Sequence, residues 1–356
     1  MPVETLFEHL RHNWPYRDGV LDGQDLSGTS LVDGTLMKCS FRNASFAGAV
    51  LRDMTFLECD FSDASFAGAR IERCTFATCI MPQTDWREAA FDQTTVMAGD
   101  VARGTFVGMT FTRSFFMKAD LSQAVFAEAQ FTKSCIMHCR LDAVDLTRAS
   151  LNNTGIIQAD LRQAVIDGLR CDIALLTECD LTERDLRSMT LARANLTDAR
   201  LDRVILSGVD LSGAMLSGAS LTGADLSGAT APGAMFLKAD LRGATLAGAR
   251  LSNAVFQEAN LGGANLDGAQ LDMAIFTGAD ARATSFRRAR LDYALFDHAA
   301  VDSSDFSGAR FLRTDFHCAS TEGAIFMGQT GSALETNMAR AVGELYDPRK
   351  VRPWLT

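Results

Sequence analysis

The chain has 356 residues, 47 % of them hydrophobic, and a formal net charge of −10. That acidic balance, without a basic patch laced with aromatics, argues against direct binding of nucleic acid. No apolar run reaches the roughly eighteen residues of a spanning helix, and Met1–Leu10 lacks the basic-then-apolar layout of a signal peptide. A cytoplasmic protein is expected, with signal-less export left open.

The first twenty residues read as a cap. Val3, Leu6, Phe7 and Leu10 recur at helical spacing, which predicts a short amphipathic helix over Val3–Asn13. Trp14 and Tyr16 follow it and are expected to plug whatever core it covers.

From 21 to 330 the chain repeats every five residues. Of the 61 positions stepping by five from Leu26 to Phe326, 57 are Leu, Phe, Ile, Val, Met or Trp; the exceptions are Cys171, Ala231, Ala281 and Thr321. Two residues before each of these the chain favours Ala or Cys, and the residue just before is often Asp, Asn, Ser or Thr. A period of five fits neither the 3.6 of a helix nor the 2.0 of a strand, and it is not a heptad. It predicts an all-β solenoid whose backbone turns a corner every five residues, each unit burying its apolar side only against its neighbours.

The units Ala159-Asp-Leu, Ala194-Asn-Leu, Ala224-Asp-Leu, Ala239-Asp-Leu, Ala259-Asn-Leu and Ala264-Asn-Leu carry a resemblance. With them the chain resembles the pentapeptide-repeat proteins over roughly 21–330. The resemblance implies a right-handed quadrilateral β-helix with four pentapeptides per coil, hence about fifteen coils, closed by short N- and C-terminal capping helices. It also implies two kinds of activity. Some relatives serve as adaptors or effectors of bacterial secretion systems; others are acidic rods that imitate DNA and occupy gyrase, as inhibitors or as protectors of the quinolone-resistance type.

On a twenty-residue coil, residues with equal numbers modulo twenty share a column. Met37, Leu57, Ala77, Met97, Met117, Met137 and Ile157 then form one outward apolar stripe, flanked by Phe115 and Cys135. Long exposed apolar strips mark contact surfaces, and Met-rich ones adapt to their partners. The expected role is a non-enzymatic scaffold that binds another protein, or a second copy of itself, through Met37, Leu57, Met97, Phe115, Met117, Met137 and Ile157. Coverage of the stripe by the protein's own chain is the alternative. A second column carries Asp60, Asp100, Asp120, Asp160 and Asp180, the candidate acidic face for DNA mimicry. Duplex DNA presents one charge per about 1.7 Å, and arginines interrupt this column, so the mimicry would be weak. Asp before the large residue also belongs to the repeat, where it is expected to bond turn backbone.

No catalytic, cofactor or metal site is expected. Cys135-Ile-Met-His138-Cys139 is the most ligand-like run, but its residues should point to opposite sides of the coil wall, and His317-Cys318 is read the same way. None of the five histidines is placed beside a nucleophile and a carboxylate. Cys39, Cys59, Cys79, Cys139 and Cys179 stack in one inward column as packed thiols rather than a disulfide framework. Arg184 falls on a small inward position and predicts a local bulge that frees it to solvent.

Residues 331–356 read as a C-terminal helix and tail. Leu334, Met338, Val342 and Leu345 form an apolar stripe over Ser332–Leu345, ended by Pro348 and Pro353. In topoisomerase-directed relatives this region dimerises, so a homodimer through these four residues is expected beside a plain capping role.

Overall fold

The computed structural model describes residues 2–171, 173–334 and 336–345. The chain divides into two compact units, Met1–Arg200 and Leu201–Thr356. Each is built from four parallel ladders with a twenty-residue offset, the quadrilateral β-helix expected from the resemblance. About 16 turns are present rather than about fifteen, since pairing already begins at Tyr16, which lies against Leu36.

In the first unit two adjacent faces carry true strands. Thr95–Met97, Phe115–Met117 and Cys135–Met137 pair in register on one, and Ala90–Asp92, Thr110–Thr112 and Gln130–Thr132 on the other. Thr, Phe, Val and Ile fill these segments, residues that suit a pleated surface. The other two faces, and nearly all of the second unit, are held by single bridges such as Asp100↔Asp120 and Met215↔Met235. Tight turns join them. In Leu211–Ala214 the Ala214 N–H donates to Leu211 O at 2.9 Å, and Gly213 takes φ 64°. A type II turn needs that left-handed conformation at its third residue, which explains the glycine in the repeat.

The large repeat residues meet inside. Phe46, Phe66, Trp86, Phe106 and Phe126 are buried and stack in one column, with Phe66 and Trp86 centred 4.0 Å apart. Where the small inward residue is Ser or Thr, its hydroxyl bonds backbone of its own coil or of the one before. Thr94 Oγ1 donates to Ile71 O at 3.1 Å and accepts the Cys74 N–H, so this inward hydroxyl is not stranded. The cysteine column behaves alike. Cys59 and Cys179 donate to Leu36 O and Ile156 O, and burial foremost pushes the Cys179 thiol up to about 12.

Four local expectations change. The first helix, α1, spans Pro2–Arg11; Leu6 is buried and Leu10 lies over Gly34, where a Cβ would strike it. Tyr16 enters the first coil, but Trp14 stays 58 % exposed, stacked on His12 at 4.7 Å. Arg184 does not bulge out. The coil keeps its turn, with Arg184 N–H bonded to Leu181 O, and the guanidinium donates to Arg162 O and Ala164 O at 3.0 and 2.6 Å. Backbone carbonyls of the coil before thus hold the two terminal nitrogens of the half-buried cation, while its Nε stays buried without a partner. The second helix, α2, spans only Met338–Leu345, because Leu334 ends a strand, Thr330–Leu334, paired with Arg310–Asp315. The side chain of Leu345 and residues 346–356 lie outside the described residues. No helix among the described residues is long and apolar enough to cross a membrane.

Candidate functional site

Strand register builds the apolar face of the first unit. Met37 pairs with Leu57, Leu57 with Ala77, Ala77 with Met97, Met97 with Met117, Met117 with Met137 and Met137 with Ile157. Alternation along each strand sends Phe56, Phe76, Val96, Phe116 and Ile136 inward and the next residue outward. Met97 is 42 % and Phe115 40 % exposed; Met37, Leu57, Met117, Met137 and Ile157 are half-buried, each shielded by its ladder neighbours. The structure therefore brings together every residue assigned to this stripe. Adjacent strands lie about 4.8 Å apart, so the side chains form one continuous apolar ribbon.

A second ribbon escaped the sequence reading. In the second unit Met215, Met235, Val255, Ile275 and Leu295 are joined by consecutive bridges, and Met215, Met235 and Leu295 are exposed. They occupy the position before the large residue, which the repeat often gives to Asp, Asn, Ser or Thr. Five apolar exceptions twenty residues apart were the available signal.

The acidic column exists, but an arginine pairs each member other than Asp100. Asp60, Asp100, Asp120, Asp160 and Asp180 each accept the backbone N–H two residues on. Arg42 holds Asp60 at 2.5 Å, Arg140 lies 3.5 Å from Asp120, and Arg200 lies 3.2 Å from Asp180. The Arg162 hydrogen bond holds the Asp160 carboxyl below its ordinary pKa against the opposing effect of burial.

A cluster unforeseen in the sequence lies where α2 packs on the second unit. His317 is buried, not outward, because α2 covers it, and Glu344 reaches it from above. Glu344 Oε2 is 2.9 Å from His298 Nε2 and 3.1 Å from His317 Nε2, and Cys318 Sγ is 3.5 Å from the same His317 nitrogen. Burial opposes ionisation of Glu344, but hydrogen bonds from His317, Arg340 and His298 outweigh it and hold its pKa low. These contacts correct the reading that His317 and Cys318 diverge and that no histidine meets a thiol and a carboxylate. The arrangement is not that of a catalytic triad. Thiol and carboxylate crowd one ring nitrogen, while His317 Nδ1 accepts the Asn337 N–H at 3.2 Å. By contrast Cys139 is buried and His138 exposed, and they separate as expected.

A surface depression of about 540 Å³ in the first unit is lined by Gly108, Glu128, Gln130, Arg148, Ser150 and Arg170, with no histidine to serve Ser150 as a base.

Family models described as pentapeptide repeats match residues 106–142, 174–213, 194–230, 205–243, 234–272 and 264–299, and a further one matches 38–80. HetL, a pentapeptide repeat protein involved in heterocyst differentiation regulation in the cyanobacterium Nostoc, is similar at 25 % identity over 59 % of this chain and 84 % of its own, with a TM-score of 0.32. A thylakoid-lumen pentapeptide repeat protein of Arabidopsis thaliana shares 33 % identity over 25 % of this chain and 66 % of its own, TM-score 0.22. The full-length plasmid-mediated fluoroquinolone resistance protein QnrB1 shares 15 % identity over 92 % of this chain and 95 % of its own, TM-score 0.15. No curated protein matches the sequence.

Proposed function

The chain belongs to the pentapeptide-repeat family, and from that premise we propose that it is a non-enzymatic scaffold that binds another protein through the apolar ribbon of its first unit. The in-register ladder Met37–Leu57–Ala77–Met97–Met117–Met137–Ile157 carries this reading. Its outer side chains form an apolar surface on a stiff sheet, and flexible Met side chains mould to a partner at little cost. An adaptor or effector role in a bacterial secretion system fits such a surface. The protein works inside the cytoplasm on this reading.

DNA mimicry of the gyrase-directed kind is the weaker reading. Its acidic column is already engaged by backbone N–H groups and arginines, which leaves little field to steer a DNA-binding protein. Self-association has its own candidate surface on α2, where Met338 and Val342 are 69 % and 66 % exposed.

Affinity capture from lysate, with the wild type and with Met97→Glu/Met117→Glu/Met137→Glu, tests the proposal when light scattering reports fold and mass. A specific protein held by the wild type in raised salt and lost by the triple variant supports the scaffold. Partners that survive the triple change and leave with salt refute it in favour of the acidic column. An unchanged capture and mass refute it too.

A further inference from the structure

His298 and Cys318 occupy the same corner of successive coils, twenty residues apart, both in the left-handed conformation at φ 56° and 52°. His317 precedes Cys318 on the same turn, and α2 lays Glu344 across all three. The possible ligand atoms of His298, His317, Cys318 and Glu344 all lie within 4.8 Å of one another.

This donor set has a definite chemical preference. Two imidazoles, a thiolate and a carboxylate are ligands of a borderline-soft tetrahedral ion such as Zn²⁺, with bonds of about 2.0–2.3 Å. Ca²⁺ and Mg²⁺ take oxygen sets instead. Four ligand atoms on a tetrahedron of that size stand about 3.3–3.8 Å apart. The closest contacts here, 2.9, 3.1 and 3.5 Å, bracket the lower end of that spacing, so small side-chain movements suffice. Charge also balances. A divalent ion is neutralised by one thiolate and one carboxylate, and the adjacent Arg340 is paired with Asp297 at 2.6 Å. Arg340 Nε also holds Glu344 Oε1 at 2.7 Å, which turns Oε2 toward the histidines. Outer contacts of this kind orient metal ligands.

We propose that His298, His317, Cys318 and Glu344 form a site for zinc or a zinc-like transition metal ion that fastens α2 to the two coils beneath it. Binding displaces the Cys318 thiol proton to solvent. The His317 Nδ1 accepts the Asn337 N–H, so its own proton rests on Nε2; ligation through Nε2 moves that proton to Nδ1 and releases the Asn337 contact. Affinity therefore falls as the pH drops.

Titration of the chelator-treated full chain with Co²⁺, followed by competition with Zn²⁺, tests this. One Co²⁺ per chain is expected, with the visible bands of a tetrahedral ion and a thiolate-to-cobalt charge-transfer band. Cys318→Ser should abolish the charge-transfer band, and Cys318→Ser and His298→Ala should each weaken binding by about tenfold or more. Cys135→Ser, at the other half-buried thiol, should change nothing. Zn²⁺ should also slow tryptic cleavage at Arg340 in the wild type but not in Cys318→Ser. An octahedral cobalt spectrum, a charge-transfer band that survives Cys318→Ser, or cleavage at Arg340 indifferent to Zn²⁺ would overturn the proposal.

Discussion

Arg162 folds back onto Asp160, its Nη2 2.6 Å from the carboxylate two residues earlier, while the same carboxylate accepts the Arg162 N–H at 3.0 Å. Asp185–Arg187, Asp240–Arg242 and Asp280–Arg282 repeat this clasp. One aspartate thus closes a turn and neutralises an arginine at once. An Asp column need not be an acidic surface.

Acid sensitivity follows from that clasp. The Arg187 side chain foremost lowers the Asp185 pKa from 3.8 to about 2, and Asp160, Asp240 and Asp280 are lowered for the same reason. A lowered carboxylate pKa means that the folded state favours the ionised form. The contribution is complete above about 3.8 and vanishes as the pH falls through about 2. Thermal midpoints measured against pH should be level near neutrality and drop within that window. Asp185→Asn should flatten the drop.

The thiols should divide into two reactivity classes. Cys59 and Cys74 are buried with pKa values pushed up to about 12, and Cys139 to about 11. Only the thiolate attacks an alkylating agent. Mass spectrometry after iodoacetamide treatment of the folded, chelator-treated protein should find the half-exposed Cys135 and Cys318 modified first. Cys39, Cys59, Cys74, Cys79, Cys139, Cys171 and Cys179, all buried, should react only in denaturant.

Trp86 depends on a single hydroxyl. Its Nε1 donates to Thr84 Oγ1 at 2.7 Å, and that hydroxyl donates to Met81 O at 2.8 Å, all of it buried. Thr84→Val keeps the shape and strands the indole N–H, a loss of about 1–3 kcal/mol. Thr84→Ser keeps the bond and should cost less. Urea midpoints at constant m-value, read from circular dichroism, compare the two.

Ile173 holds φ 55° at a turn position that suits glycine or asparagine. A β-branched side chain there is strained, and at 48 % exposure it packs little. Ile173→Asn should stabilise the protein by about 1 kcal/mol, seen as a higher urea midpoint.

The five-residue period determined by itself the solenoid and which residues face inward; the columns and the apolar ladder needed the four-unit coil that the family resemblance implies. Large and small residues alternate in a register that only a corner-turning backbone can bury, and a ladder offset of one coil follows once the coil length is known. Local turn chemistry was legible for the same reason, since Gly213 or Asp160 acts on backbone two or three residues away. Only the tertiary structure decided whatever reaches outside the repeat. The position of α2 buries His317 and brings Glu344 to it from 27 residues away; Arg184 finds carbonyl oxygens twenty and twenty-two residues back instead of leaving the coil. Each outcome depends on how a long side chain or a non-repeating helix fills space over a neighbouring coil. A repeat records what every coil shares, so it carries no information about packing that occurs once.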